Sequence, residues 1–574
     1  VSEKDDKPSA PPPPAAAPGK PGPKHPGLVT LSIDGKEVVA KPGTNLITAA
    51  KTVGADIPYY CWHHRLSIAA NCRMCLVESS TSPKLVPACQ TALQEGLSIR
   101  TDTERVAESR RSVMEFLLLN HPVDCSICDQ AGECKLEDYY QRLDHKPSRL
   151  EGGKILRNKR KVLGPLVVLD QERCVQCTRC IRFMDEVAKE PQLGMFARGS
   201  EEYIDVFPGQ QLTSNYSGNV VDLCPVGALL NRDFRFRARS WFLSTVASVC
   251  TGCSRGCNTY VDFMGQDVYR YRPRENDAIN QSWMCDPGRL SYKPLNLGRV
   301  QAPSLGRAED RREVTAAEAL LRATAQLKAM AGTAELAVLV SPSCSNEDLL
   351  AGLTFAKDAL GVRHLYVGGR PDGAADALLM RADKNPNRKG LAWVSAGLGL
   401  SLEPFAALLQ AVQAGTVKAL YVLGAEVPVA EAEAARTLAQ VEFIAVQATN
   451  LSPLTDTADV VLPAATHVED EGSFVQEDGT VQRFRRAFPP RGSTRGHWKW
   501  AVDIMREFGF PLTYESARDV FRELSPKVPE LASFGWDPEA PPLKAHRGLQ
   551  PLATGADGRP PGYREFGAPR VRGI

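Results

Sequence analysis

The sequence predicts a multidomain protein, α+β over its first half and α/β over its second. Three observations predict this. The chain has 574 residues, room for about three or four domains. Fifteen of its 16 cysteines lie between Cys61 and Cys285, in closely spaced groups. Residues 335–510 instead alternate short apolar runs with Ala/Leu-rich stretches. That alternation is the pattern of α/β layers on a largely parallel sheet.

Taken in order, residues 1–27 are rich in Pro, Ala, Gly and Lys and have little apolar surface to bury, so they read as a disordered tail. "LVTLSIDGKEVVA" alternates Val29, Leu31 and Ile33, turns at Asp34–Gly35 and continues through Val38 and Val39, a hairpin pattern. Thr44 is placed to cap a short helix, "NLITAAKTV", ended by Gly54. A cysteine-bearing loop region follows, from Tyr60 to Cys89. From Thr103 to Asn120 the periodicity is helical, with Val106, Val113, Phe116 and Leu117 near one face. A loop-rich segment with two cysteine groups extends to about residue 295. Strands are expected at "LAVLV", "HLYVG", "VKALYVL" and "VEFIAVQ", and a helix at "EPFAALLQAVQAG". From residue 525 Pro and Gly return, and an extended tail is expected.

The balance of charge narrows the function classes. A formal net charge of +2 provides no overall drive toward nucleic acid or an acidic membrane surface. No apolar run reaches the ~18 residues of a membrane-spanning helix. The first residues lack the apolar core of a signal peptide, which points to a reducing, cytosolic setting. There, close cysteine spacings mean metal binding more often than disulfides.

The cysteines fall into four ligand sets. The first is Cys61, Cys72, Cys75 and Cys89, spaced C-x10-C-x2-C-x13-C. A plant-type [2Fe–2S] ferredoxin also places a C-x2-C pair in a loop with a distant fourth ligand, although its first gap is shorter; zinc is the competing reading. The second is His121, Cys125, Cys128 and Cys134, which suits a zinc site and an iron–sulfur site alike. The third is "CVQCTRC", Cys174, Cys177 and Cys180, with Cys224 in "VDLCPVGAL". A C-x2-C-x2-C triplet wraps one face of a cubane and a remote Cys-Pro supplies the last corner, a far more specific pattern. The fourth is Cys250, Cys253, Cys257 and Cys285, C-x2-C-x3-C-x27-C, with zinc again the alternative. The four sets use every cysteine up to 285 once, and several centres in one chain suit electron transfer. Cys344 has no cysteine near it and reads as a small buried hydrophobe. His63, His64, Arg65, Arg73 and Arg179 stand beside or near ligands, as tuning groups or as plain surface.

This order of motifs resembles the large iron–sulfur subunit of the peripheral arm of respiratory complex I, the G subunit of bacterial NADH–quinone oxidoreductase. The resemblance covers residues 28 to about 515 and rests most on H-x3-C-x2-C-x5-C standing between the other sets. It implies one [2Fe–2S] cluster on Cys61, Cys72, Cys75 and Cys89. It implies three [4Fe–4S] clusters, on His121/Cys125/Cys128/Cys134, on Cys174/Cys177/Cys180/Cys224 and on Cys250/Cys253/Cys257/Cys285. The fourth set resembles an extra centre of bacterial members, and so implies a bacterial protein. The C-terminal region resembles molybdopterin oxidoreductases over 458–484, from which Ser473, Gln476 and Thr480 depart. "LGAEVP" at 423–428 lacks the Asn of the pterin-contact motif, and Pro287 stands where those enzymes carry a relay Lys. With no cysteine placed to ligate molybdenum, the domain is expected to carry none.

The expected fold is thus a series of ferredoxin-like iron–sulfur modules followed by a molybdopterin-oxidoreductase-like α/β domain without molybdenum. Its expected divisions are 1–27, a tail; 28–105, a plant-type [2Fe–2S] domain; 106–146, the module with one His and three Cys; 147–240, a [4Fe–4S] ferredoxin-like module; 241–300, a [4Fe–4S] domain of molybdopterin-oxidoreductase type; 301–524, the α/β domain; and 525–574, a tail. The resemblance implies a carrier of single electrons from flavin toward quinone, with no catalytic residue of its own. Gly397-x-Gly399 lacks the third glycine of a nucleotide fingerprint, so FMN and NADH are expected on a partner subunit. Expected partners are that flavin/NADH-binding subunit, a thioredoxin-like [2Fe–2S] subunit and quinone-proximal subunits of the arm. Nucleic acid is not among them. The expected location is the cytoplasmic side of a bacterial inner membrane, held there only through the complex. A molybdenum formate dehydrogenase, an iron hydrogenase and a zinc-stapled scaffold are the alternatives.

Overall fold

A computed structural model describes residues 27–143, 148–362 and 364–536. The expected N-terminal tail, except residue 27, and the last 38 residues of the expected C-terminal tail, 537–574, lie outside the described residues. The chain divides into two compact units: one of residues up to Asn120 with Tyr139–Lys154 and Val175–Thr178, the other of His121–Asp138, Ile155–Cys174 and the chain from Arg179 onward.

The first unit is built on a mixed five-stranded sheet, in the order Lys36–Ala40, Val29–Ile33, Ser98–Arg100, Leu76–Ser79, Ser82–Pro87. The hairpin expected at its start is present, with Ile33 paired to Lys36. Asp34 and Gly35 both take positive φ, the conformation a tight two-residue hairpin turn demands. The helix Leu46–Thr52 buries Leu46, Ile47, Ala49 and Ala50 against the sheet residues Leu31, Ile33, Val77 and Ile99. Its cap is Asn45 rather than Thr44: the Asn45 side chain accepts the Ile47 N–H. The helix Glu104–Leu118 is capped by Thr103 and buries Val106, Arg110 and Met114. This i, i+4, i+8 stripe keeps Val106 of the face expected from sequence but puts Arg110 and Met114 where Val113, Phe116 and Leu117 were expected, and Phe116 is 73% exposed.

The second unit holds several small sheets and one large one. Leu229–Asn231, Val167–Leu169 and Lys161–Val162 form one antiparallel sheet; Ser244–Val249, Asn258–Met264 and Asp267–Pro273 form another. The large sheet has eight strands. Six of them, Val460–Pro463, Phe443–Ala448, Ala419–Leu423, Leu336–Val340, His364–Val367 and Ser401–Pro404, run parallel in that order. The short strands Ser304–Leu305 and Arg312–Glu313 add an antiparallel edge. All four strands expected from sequence are there. The central ones are buried at every position, as strands covered on both faces must be. Two apolar cores fill the two faces, one around Leu349, Leu353 and Trp500, the other around Leu408, Leu420 and Ile444.

Residues 525–532 correct the expected start of the tail. They form helical turns, and Val528 and Leu531 are fully buried in the first of these cores. The prolines here stand at the first helical positions, where a missing N–H costs nothing, so they begin turns instead of breaking them.

Candidate metal centres

In the first unit the loop between Cys61 and Cys89 brings its four thiols into mutual contact. The Cys61 N–H points at Cys72 Sγ, 3.5 Å away. Thiol–thiol hydrogen bonds from Cys72 and Cys89 draw Cys61 below the ordinary thiol range, and one from Cys89 does the same for Cys75. The same contacts push Cys72 and Cys89 up. Four sulfurs sharing hydrogens in this way become an anion-rich nest once deprotonated, and a cationic iron centre offsets that repulsion. Cys75 and Cys89 also belong to the apolar core, which keeps water from the set. His63 Nδ1 accepts the Arg65 N–H, and the His63 and His64 rings stack at 4.6 Å. Arg73, by contrast, is exposed.

In the second unit the turn Cys125–Ile127 gathers Cys125 and Cys128, and Cys134 lies within electrostatic reach of Cys128. Burial raises all three thiols, Cys134 to about 12. His121 is half-buried at the head of the same loop. Cys128 rests on Gly227: a Cβ added there would stand 2.2 Å from Cys128 Sγ, so only glycine admits the sulfur. Gly227 belongs to the "CPVG" stretch that begins at Cys224. A backbone hydrogen bond of 2.9 Å, from Lys135 N to Pro225 O, joins the residues just after Cys134 and just after Cys224.

Of the third set, Cys174, Cys180 and Cys224 belong to the second unit, while Cys177 falls in 175–178, which groups with the first. Cys180 is buried on the helix Arg179–Glu186, and Cys224 ends the helix Asn219–Leu223. Arg179 is 5% exposed and donates to Leu223 O at 3.1 Å, which ties these two ligand-bearing helices together. It is an internal strut and not plain surface.

The fourth set converges fully. Cys250 follows the strand Ser244–Val249, and its N–H bonds Cys257 O at 2.8 Å just before the strand Asn258–Met264. Cys285 caps the helix Asp286–Leu290, its Sγ accepting the Gly288 N–H at 3.4 Å, and Cys250 Sγ accepts the Gly252 N–H at 3.4 Å. All four thiols line one cavity of about 150 Å³, with Gly252, Pro287, Gly288 and Lys384. A Cβ on Gly288 would lie 3.1 Å from both Cys250 and Cys285 Sγ, so glycine leaves the sulfurs room. Burial, reinforced by the neighbouring thiols, pushes Cys250 to about 11, Cys285 to about 12 and Cys257 well above its usual value. Ligation by iron must therefore release protons here. Donor type, enclosure and backbone N–H groups aimed at sulfur all fit an iron–sulfur cluster. Among the described residues no three His, Cys, Asp or Glu side chains converge in the arrangement of a single metal ion.

Backbone strain marks the same loops. Ala70, Arg73, Val123, Gln176 and Thr178 take positive φ without being glycine, and each lies within a ligand segment. Such conformations persist where surrounding structure over-determines them, and they gather at functional sites. Sequence reading missed three arginines. Arg239 donates to the carbonyls of Cys128, at 2.7 Å, and Ser126. Arg370 donates to Thr251 O at 2.5 Å, beside Cys250. Arg173 pairs with Asp124. Each comes from far along the chain, so no local pattern announces it.

The carboxyl ends of the central parallel strands, where α/β sheets usually bind ligands, are filled by the chain's own side chains. Ser473 donates to Glu347 from N–H and Oγ at 2.8 and 2.7 Å. His497 Nδ1 meets Gln447 Oε1 at 2.9 Å, and Trp498 Nε1 donates to Asp470 at 3.0 Å. Cys344 is buried there, its thiol raised by burial. Burial outweighs the Ser473 hydrogen bonds and pushes Glu347 up to about 8. A carboxyl whose pKa rises on folding takes up a proton as the chain folds. Stability is then lost as pH climbs from the unfolded carboxyl value toward about 8. Over that window Glu347→Gln should flatten the pH dependence of chemical unfolding by up to about 1.4 kcal/mol per pH unit. An unchanged slope would mean that Glu347 is ionised in the fold.

Comparison with known proteins finds five matching family models. Family models match at 27–104 (2Fe-2S iron-sulfur cluster binding domain), 110–149 (NADH-ubiquinone oxidoreductase-G iron-sulfur binding region) and 164–230 (NADH-quinone oxidoreductase subunit 3, ferredoxin-like domain). Others match at 244–293 (NADH-ubiquinone oxidoreductase NDSU1/NuoG-like, 4Fe-4S domain) and 314–507 (Molybdopterin oxidoreductase). The fold class is therefore ferredoxin-like iron–sulfur domains followed by a molybdopterin-oxidoreductase-type α/β domain. The NADH-quinone oxidoreductase G subunit of Rickettsia conorii is 38% identical over 340 residues, 59% of this chain and 50% of that protein. NADH dehydrogenase [ubiquinone] iron-sulfur protein 1 of Solanum tuberosum is 38% identical over 346 residues, 60% and 46% of the two chains. The mitochondrial 78 kDa NADH-ubiquinone oxidoreductase subunit of Candida albicans is 39% identical over 317 residues, 53% and 44%. The chain thus spans about half the length of the curated relatives it matches. A solved NAD+-reducing [NiFe]-hydrogenase chain aligns at 25% identity with a TM-score of 0.34, covering 37% of this chain and 90% of that one. With its 2Fe-2S and 4Fe-4S domains in this order, and relatives near 40% identity over about 300 residues, the chain is similar to the iron–sulfur G subunits of NADH–quinone oxidoreductase.

Proposed function

We propose that this chain is an electron-transfer subunit of the peripheral arm of an NADH–quinone oxidoreductase, passing single electrons from reduced flavin on a partner subunit toward quinone. The observation that carries the reading is the grouping of thiols in the first and fourth sets. The four sulfurs of Cys61, Cys72, Cys75 and Cys89 contact one another, and those of Cys250, Cys253, Cys257 and Cys285 line one cavity. Cys61, Cys72, Cys75 and Cys89 hold a [2Fe–2S] cluster. His121, Cys125, Cys128 and Cys134 hold a [4Fe–4S] cluster, as do Cys174, Cys177, Cys180 and Cys224, and Cys250, Cys253, Cys257 and Cys285. Such clusters supply one-electron storage at potentials set by ligand charge, hydrogen bonds to sulfur and exposure. The chain's residues hold them, exclude water with the apolar cores and aim the Gly252 and Gly288 N–H groups at sulfur. The division of the chain at 28–105, 106–146, 147–240, 241–300 and 301–524 follows these sets.

The α/β domain is structural and carries no molybdenum. Its strand ends are filled by the Glu347–Ser473 and Gln447–His497 pairs, and Pro287, not a lysine, stands two residues after Cys285. FMN and NADH bind a partner, and a thioredoxin-like [2Fe–2S] subunit and quinone-proximal subunits complete the arm. No helix among the described residues is long and apolar enough to cross a membrane. The proposed site is the cytoplasmic face of a bacterial inner membrane, reached through the complex.

Anaerobic purification with iron and sulfide counting and low-temperature EPR tests the reading. One [2Fe–2S] and three [4Fe–4S] centres are expected; zinc without iron, stoichiometric molybdenum, or formate oxidation by the isolated chain would overturn it. His121→Ala should perturb one [4Fe–4S] signal, because the second centre loses a ligand. An unchanged spectrum would remove His121 from the ligand set.

A further inference from the structure

Arg173 immediately precedes Cys174 of the third set, and Asp124 immediately precedes Cys125 of the second. The two side chains form a fork: Arg173 Nε donates to Asp124 Oδ1 at 3.0 Å and Nη2 to Oδ2 at 2.7 Å. Arg173 is 4% exposed, so its charge is removed from water and depends on its partners. Asp170 Oδ2 lies 3.3 Å from Arg173 Nε. Lys159 joins the group, reaching Asp124 at 3.2 Å, Asp170 at 3.4 Å and Glu172 at 2.8 Å. The network thus links the loop of the second set to the segment that leads into the third.

The Arg173 stem also lies over Gly227, the glycine on which Cys128 is seated. A Cβ placed on Gly227 would lie 3.6 Å from Arg173 Cδ and 2.2 Å from Cys128 Sγ, so arginine and thiol share one cradle. Three links then join the two ligand loops: the Arg173–Asp124 fork, the seating of Cys128 on Gly227 and the Lys135 N–H bond to Pro225 O. The last two are backbone and packing features. The fork is the one that also brings the Arg173 cation within electrostatic reach of Cys128, with the Asp124 carboxylate opposing it. A bidentate fork fixes orientation as well as distance, which a lysine ammonium cannot reproduce.

We propose that Arg173 is a positioning residue that clamps the Cys125–Cys128 loop to the Cys174 segment, so setting the spacing of the second and third iron–sulfur centres and raising the potential of the second above the value it would have without this cation. The proposal rests on the reading that these two sets hold clusters. A cation beside a ligand sulfur favours the reduced cluster, and its removal lowers the potential.

The test uses the full chain, purified anaerobically, as wild type, Arg173→Met and Arg173→Lys, with iron counts, EPR redox titration and power saturation. If the wild type shows no [4Fe–4S] signals, the functional reading fails rather than the clamp. With clusters present, Arg173→Met should lower the midpoint potential of the second centre and weaken the magnetic interaction between the second and third. Arg173→Lys should keep the potential near wild type and still weaken the interaction. Loss of iron confined to the second and third sites is the extreme form of the expected result. Unchanged potential and interaction in Arg173→Met at full iron content would overturn the proposal. So would loss of all four centres together, which marks a general folding role.

Discussion

Gly227→Ala lowers the iron content of the purified chain by about four atoms, one cubane's worth, and removes the EPR signal of the His121 set. The reason is steric. The added Cβ would stand 2.2 Å from Cys128 Sγ and 3.2 Å from Gln130 Cβ. Cys128 is buried, and Arg239 pins its carbonyl at 2.7 Å. The loop must therefore move away from the Cys224 stretch, taking a ligand with it. Gly153→Ala is the control, since nothing lies within 4 Å of its new Cβ. Iron content and spectrum equal to wild type in Gly227→Ala would mean that Cys128 is not held where the structure places it.

Arg299→Met destabilises the second unit by about 3–5 kcal/mol, the usual cost of stripping one partner from a buried ion pair. Arg299 Nη2 meets Glu469 Oε2 at 2.7 Å, with side chains 1% and 0% exposed. The guanidinium also serves the carbonyls of Thr449, Ala464 and Leu295 at 2.8, 3.2 and 3.4 Å. Its removal takes the closest cation from a buried carboxylate, which keeps only Thr466 and Arg491 as partners, and one donor from each of three carbonyls, of which Thr449 O keeps the Val300 N–H. Against the cost of burial, Arg299 is what keeps the Glu469 carboxyl below its ordinary range. Chemical unfolding followed by circular dichroism measures the loss. Adding Glu469→Gln to Arg299→Met should recover part of it, because the stranded charge is then gone. A single variant within about 0.5 kcal/mol of wild type, the scatter of ordinary surface substitutions, would show that water reaches the pair.

The two glycine cradles and the buried ion pair were not legible in the sequence, while much around them was. The hairpin at Asp34–Gly35 and the four central strands could be read because turn chemistry and apolar runs act over a few residues. The cap at Asn45 and the buried face of Glu104–Leu118 went astray for the opposite reason. Thr44 and Asn45 are both good caps, and only backbone geometry chooses between them. Arg110 occupies a buried face position because its guanidinium reaches Leu76 O at 3.5 Å, a partner 34 residues away.

By itself the sequence sorted the cysteines into four proposed sets, since ligands two or three residues apart must share a loop. It also determined that the second half would be a parallel sheet between helices. Only the tertiary structure decided what surrounds the ligands. It placed Arg173 on Asp124 across 49 residues, Gly227 under Cys128, and Ser473 on Glu347 across 126 residues at the strand ends. Those pairings depend on distances between segments remote in sequence. Burial of a charge, space beside a sulfur and the closing of a crevice are properties of the packed chain, and no local spacing encodes them.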